Sequence, residues 1–209
     1  MTRATARSKI AALGTGYYQF DYSAFWTLRM LFLVEFATWD GIGLFDMGTR
    51  ESGTDALTGG TDSMTYHTGV GTNGYSMQYR YIENPWSDVL EWCDGIYLSG
   101  SNVYCINNPT KFSDTSNGTL VATAPSSYGF IKTWTMPTAS GYEYALFPKT
   151  ISSSGYIPDY VYTDIGTGTV VYTGGVRSLL SQHGPFFIYC DFTATSTSSA
   201  IASRAMKLV

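Results

Sequence analysis

The chain has 209 residues, 44% of them apolar, which suits one domain, or one domain with an extended arm, and excludes a disordered chain. Only 13% are Asp, Glu, Lys or Arg, against about 25% in an ordinary soluble domain; Gly, Ser, Thr and seventeen tyrosines take their place. A net charge of −4, with no cluster of Lys and Arg to meet phosphates, argues against a nucleic-acid partner.

In chain order, Arg3, Arg7 and Lys9 form the one basic concentration and read as a solvated end. No apolar stretch follows residues 1–9 directly, so no secretory signal is expected. Residues 1–20 read as an arm and a first strand, with the strand over 16–20. Asp21 or Ser23 then offers an N-cap, and Phe25, Leu28, Leu31, Phe32, Glu35 and Phe36 follow at helical spacing. Apolar residues fill the positions between, which predicts a helix buried around most of its circumference. Its end is expected near Trp39-Asp40-Gly41, with glycine in the left-handed cap. The apolar run over 25–37 contains Arg29 and Glu35 and is shorter than the roughly 20 residues a bilayer requires, so no membrane insertion is expected.

Residues 41–74 are rich in Gly, Thr, Ser and Asp and read as a long loop with one short strand. Asn84-Pro85 predicts a second helix carrying Trp86, Val89, Leu90 and Trp92 and stopping at Asp94-Gly95. Residues 96–106 read as a hairpin turning at Ser99-Gly100-Ser101-Asn102. Short strands are expected over 130–134, 144–147, 160–162, 169–172, 186–192 and 204–208. The fold class is therefore α+β, with two helices, a small mixed or antiparallel sheet and long irregular loops, as a single domain over 1–209.

Two stretches carry a family likeness. The first, Tyr81-Ile-Glu-Asn-Pro-Trp-Ser-Asp-Val-Leu-Glu-Trp-Cys-Asp-Gly95, matches the pattern N-x-W-G-N-V-W-E-W at Asn84, Trp86, Val89, Glu91, Trp92 and Asp94. The second runs from Gly174-Gly175 through Gly184 and Phe186 to Ser203-Arg204, in a GG…G-x-F…G-x-R frame, with Ala202 where glycine is usual and Arg177 where tryptophan is common. They resemble the formylglycine-generating-enzyme-like branch of the C-type lectin fold. Residues 26–37 and 61–69 further resemble receptor-binding tail proteins of gut bacteriophages and prophages. The resemblance implies a non-catalytic domain at a virion tail, made in the bacterial cytoplasm, that binds a bacterial cell-surface protein or glycan; a homo-oligomer is compatible with it. In several such proteins a diversity-generating retroelement mutates adenines in the codons of the C-terminal frame, here residues 174–204. An asparagine codon so mutated never yields Lys, Glu, Gln, Met or Trp, and between Val176 and Ile201 only Gln182 belongs to that set.

The segment itself has the character of a contact surface, in which tyrosine supplies area at few rotatable bonds and small polar residues adapt their hydrogen bonds. Arg177, Ser178, Leu179, Ser181, Gln182, His183, Phe187, Tyr189, Asp191 and Phe192 are the candidate ligand-binding residues. Gly174, Gly175, Gly184 and Phe186 read as frame. Strand alternation would bury one parity of Phe187, Tyr189 and Phe192 as core.

Other chemistry is weakly signalled. The resembled branch includes an oxidase that needs a close reactive cysteine pair, whereas Cys190 stands alone between Tyr189 and Asp191, far from Cys93 and Cys105. Buried free thiols are the main reading, with a Cys93–Cys105 bridge left open because the two flank a hairpin. His67 reads as a hydrogen-bonded structural residue and His183 as a surface contact. Asp46, Glu51, Asp55 and Asp62 could offer oxygen ligands to calcium, but solvated loop is the leading reading. No metal and no cofactor is expected. No Gly-x-Ser-x-Gly elbow or phosphate loop is present; Gly14-Thr15-Gly16 and Gly166-Thr167-Gly168 are turns. A structural virion protein that makes oligomer contacts is the second reading, and a formylglycine-generating-type oxidase the third.

Overall fold

The N-terminal residues depart from expectation at once: they form a helix, α1 (Arg3–Ala11), with the Thr2 side chain accepting from the Thr5 N–H at its start. This computed structural model describes residues 1–45, 58–71, 76–86, 89–164, 166, 170–175 and 182–208. After α1 come β1 (Tyr17–Gln19), α2 (Tyr22–Phe36), the short α3 (Gly41–Phe45), β2 (Thr68–Val70), β3 (Met77–Tyr79) and β4 (Ile82–Glu83). The remainder is strand: β5 (Leu90–Ser99), β6 (Asn102–Cys105), β7 (Thr119–Thr123), β8 (Gly129–Thr135), β9 (Phe147–Ser152), β10 (Tyr160–Thr163), β11 (Val170–Gly174), β12 (Ile188–Cys190), β13 (Ile201–Ala202) and β14 (Ala205–Lys207).

The fold is mixed α+β, as expected, but the main sheet is large rather than small. It runs β7-β6-β5-β11-β12-β10-β8-β9, with β13 added in parallel to the first half of β5, and it curls until β7 and β9 approach each other. Most pairs are antiparallel; β10 and β12 run parallel. Two small sheets, β1-β14 and β2-β3-β4, complete the order.

Helix α2 begins where expected, with Asp21 accepting from the Ala24 N–H at 2.8 Å. It ends earlier than predicted, on Ala37 in the left-handed conformation (φ 50°) rather than on Gly41. Gly41 opens α3 instead, and lies so close to Pro185 that a β-carbon would collide with the proline ring. Phe25, Trp26 and Phe32 of α2 are fully buried against one face of the sheet. Cys93, Cys105, Val161, Phe186 and Ile188 complete this inner core. Removing about 25 cal/mol per Å² of apolar surface from water is its driving force.

The helix predicted from Asn84-Pro85 is not formed; the segment enters β5. Asn84 takes φ 44° and its side chain accepts from the Met77 N–H at 2.9 Å, closing a bend rather than capping a helix. Leu90 and Trp92 go to the outer core while Cys93, Ile96 and Leu98 go to the inner one. A strand covered on both faces has no alternating pattern, so its apolar run imitates a buried helix. The hairpin over 96–106 is present as β5-β6. The strand expected at 144–147 begins only at Phe147, because Ala145 and Leu146 donate backwards to Tyr142 and Tyr144 in turns. Only residues 188–190 of the stretch 186–192 are strand.

Arg3 and Arg7 do not lie in solvent; Lys9 does. β5 bulges at Asp94-Gly95-Ile96, so its register to β11 jumps between Val171↔Cys93 and Val170↔Tyr97. The carbonyls of Cys93 and Ile96, freed by that bulge, receive Arg3 Nη1 at 3.0 and 2.8 Å. Arg3 Nε reaches Asp114 at 2.8 Å, and Arg7 forks onto both oxygens of Asp94. Arg3 is fully buried. The basic N-terminus is thus an internal staple that satisfies backbone groups a bulged central strand cannot pair.

Candidate functional site

The outer face of the main sheet divides in two. One half, Leu90, Trp92, Val170 and Tyr172, packs with Ala6 of α1, and the Trp92 indole donates to the Met1 carbonyl. The other half lies on β8, β10 and β12. There the residues whose neighbours in sequence point into the core, Phe130, Tyr160, Tyr162 and Tyr189, point outward. Strand pairing brings them together into a ladder of rings. Centroids lie 4.8 Å apart for Phe130–Tyr160, 4.9 Å for Tyr160–Tyr162 and 5.3 Å for Tyr162–Tyr189. Phe192 extends it at 5.3 Å from Tyr189, and Tyr128 stacks on Tyr162 at the other side. Tyr128 is 63% exposed and Phe192 38%, with the four central rings half-buried. Rings in mutual contact on adjacent strands hold one another's rotamers, so such a face meets a ligand with little further loss of side-chain freedom.

Polar groups sit within this ladder. The Tyr162 hydroxyl donates to Gln182 Oε1 at 2.9 Å, and Tyr160 N–H takes the Gln182 carbonyl. Burial, then the charge of Asp191, pushes the Tyr189 phenol up to about 12, so it remains a donor at neutral pH. Burial and the neighbouring Asp164 raise Asp191 in turn.

The turn that leads into β12 is held by two buried charges of opposite sign. Asp159, fully buried, accepts the N–H groups of Gly184 and Phe186. Its carboxylate occupies the space a β-carbon on residue 184 would need, so only glycine fits. From the opposite side Arg29 of α2 donates Nε to the Pro185 carbonyl, Nη2 to Pro85 and Nη1 to Phe25, and its guanidinium lies 3.9 Å over the Phe25 ring. Gly174, at φ 88°, likewise leaves no space for a side chain beside the Val89 carbonyl. Gly174, Gly175, Gly184 and Phe186 are all buried, in keeping with their reading as frame.

Of the ten candidate residues, Arg177, Ser178, Leu179 and Ser181 lie outside the described residues. Gln182, Tyr189, Asp191 and Phe192 come together at the ladder. Phe187 is fully buried beneath it and belongs to the core. His183 is not at the surface: it is 2% exposed, with its ring 4.0 Å from that of Phe187. The alternation expected of a strand holds, with Phe186, Ile188 and Cys190 inward and Phe187 and Tyr189 outward, but Phe187 is covered on its outer face, where His183 lies against it. Tyr128, Phe130, Tyr160 and Tyr162 were missed. Their outward parity is visible in Tyr160-Val161-Tyr162, but which strand lies beside β12 is not written in any local pattern.

The remaining candidates fall elsewhere. His67 is 52% exposed in its side chain, with Nε2 3.6 Å from Glu35. Asp62 is exposed, while Asp46, Glu51 and Asp55 lie outside the described residues. Among those described, no three His, Cys, Asp or Glu side chains gather as a metal site. Cys93, Cys105 and Cys190 are free and buried; burial and the nearby Asp191 push the Cys190 thiol well up, opposite to what a reactive thiolate requires. No helix among the described residues is long and apolar enough to cross a membrane. No family model matches the chain, and no curated protein matches it either.

Proposed function

We propose that the chain is a ligand-binding domain whose contact surface is the ring ladder on β8, β10 and β12. The observation that carries this reading is the ladder itself: six Tyr and Phe rings from three chain segments in one contiguous outward row, edged by Gln182 and Asp191. Hydroxyls and ring edges on a rigid sheet are what recognition surfaces use, with large area and little entropy to lose. The surface includes four of the residues that the C-terminal segment contributes. Together with the resemblance to gut-phage tail proteins, this leads to the fuller reading of a C-type-lectin-like receptor-binding domain at a virion tail, directed at a bacterial cell-surface protein or glycan.

Retention of the labelled chain on a panel of gut bacterial cells tests it. Wild type should be retained on at least one strain, and a Tyr162→Ala/Tyr189→Ala double variant with an intact melting transition should lose roughly tenfold or more. Equal retention of both proteins moves the binding face elsewhere. A second reading, assembly within a virion, is favoured by a different surface: Met30, Leu31 and Val34 of α2 stand exposed, Val34 at 85%, beside an apolar hollow against Tyr144. Concentration-dependent mass in light scattering, abolished by Val34→Lys but not by the tyrosine pair, would establish that reading instead.

A further inference from the structure

We propose that the groove between β14 and β4 is a second binding site, which takes an extended, lysine- or arginine-bearing peptide as an added strand on the free edge of β14. The groove encloses about 650 Å³. Phe20, Leu28, Ile82 and Met206 give it an apolar lining, and Asp21 and Glu83 give it charge. It lies on the side of the molecule built by β1, β4 and β14, and shares no residue with the ring ladder.

The edge is identified by hydrogen-bond parity. Phe20 donates to the Arg204 carbonyl and Leu208 to the Gly16 carbonyl, so residues 204, 206 and 208 turn their backbone groups toward β1. Ala205 and Lys207 therefore turn theirs the other way, and no strand among the described residues pairs with that edge. β4 is also the last strand of its sheet. Its Glu83 carbonyl is already used, because Arg204 Nη2 lies 3.0 Å from it and 3.1 Å from the carbonyl of Asn84 just beyond. Of the two banks, β14 is the one open to a new strand. A strand added there alternates its side chains, so every second residue reaches the apolar lining.

The charge of the occupant follows from the groove. Arg204 is neutralised by Glu91, at 2.7 Å. Asp21, pushed up to about 6 by burial and by Asp94, is still ionised above neutral pH. Glu83 accepts the Gly59 N–H on Oε2, while its buried Oε1 has no hydrogen-bond partner among the described residues. Two acidic residues line the groove, and the one cation among its described lining residues, Arg204, is already paired, so a basic side chain is the complement. A second copy of this chain fits less well, since its β14 would bring a second Lys207, a cation rather than an apolar or neutral residue, to an edge that already carries one.

Two synthetic peptides test the proposal at pH 7.5: acetyl-Thr-Val-Lys-Val-Thr-amide and the same sequence with Glu for Lys. The first should slow hydrogen exchange at the Ala205 and Lys207 amides and bind about tenfold more tightly than the second. Glu83→Gln should cut that preference at least threefold without lowering the melting temperature, because it keeps the side chain's shape; N-methylation of the peptide backbone should abolish binding. No protection of those two amides at millimolar peptide, or equal affinity for the two peptides, overturns the proposal. Protection without peptide, accompanied by a dimer mass in light scattering, overturns it in favour of self-pairing.

Discussion

Two arginines are buried among the described residues, and they solve the same problem in different ways. Arg3 and Arg29 are 0% and 1% exposed, and both spend most of their donors on backbone carbonyls. Arg3 also has a carboxylate in direct contact, Asp114, and sits beside the Arg7–Asp94 pair. Arg29 touches no carboxylate among the described residues: it has three carbonyls and the Phe25 ring, and feels Asp159 only at a distance. Burial accordingly pushes Arg29 down to about 9, still protonated at neutral pH. Each holds a different part of the fold. Arg3 repairs a bulge in the strand at the centre of the sheet, whereas Arg29 fixes the turn from which the candidate surface starts.

The largest effect is expected at Arg3. Arg3→Met leaves the Cys93 and Ile96 carbonyls unpaired and Asp114 with one cation fewer, and should cost about 3–5 kcal/mol of unfolding free energy, read as a lower urea midpoint. Arg29→Met should cost somewhat less, about 2–4 kcal/mol, with a signature the first lacks: faster amide exchange at Gly184 and Phe186, whose turn has lost its carbonyl anchor. If both variants loosen that turn equally, the two arginines are not separate devices.

A pH titration sharpens the contrast. Burial raises Asp159 to about 7, against the two N–H bonds that favour its ionised form. Its folded value exceeds its unfolded one, so its contribution is full below about pH 4 and is lost as pH rises toward 7. Asp21, raised to about 6, acts in the same direction. Stability should therefore fall by a few kcal/mol in total between pH 4.5 and 7.5, and Asp159→Asn should remove the larger part of that slope while lowering stability at pH 4.5. A flat profile in the wild type would mean that Asp159 keeps an ordinary carboxylate range. The smallest effect belongs to the ladder: Tyr162→Phe removes one half-buried hydrogen bond to Gln182 and should cost about 1 kcal/mol or less, measurable as a small shift in the same urea midpoint.

Sequence reading succeeded where the signal was local and failed where it depended on a partner. The start of α2 is written in Asp21 and the spacing that follows, and the β5-β6 hairpin in its Gly-Ser turn. The glycines of the frame were legible because a missing β-carbon is a strong statement about space, as Gly174 and Gly184 show. β5 was misread because its two faces are both covered, and Arg3 because nothing near it in sequence reveals a bulge ninety residues away. The site was half legible for the same reason. Tyr189 and Phe192 stood out by composition, but Tyr160 and Tyr162 join them only through the parallel pairing of β10 with β12.

That dependence on distant partners also sets an order of events. Among the described residues β1 pairs with β14 alone, and β5 receives β11 and β13 from far along the chain. β1 therefore has no partner until β14 has been made, and the staple from Arg3 has nothing to clasp until residues 93–96 have bulged. Contacts so far apart in sequence close slowly, on the order of milliseconds to seconds once the chain is free. Until then α2, apolar on every side, stands uncovered, which makes the interval before closure the time when this chain is most exposed to aggregation.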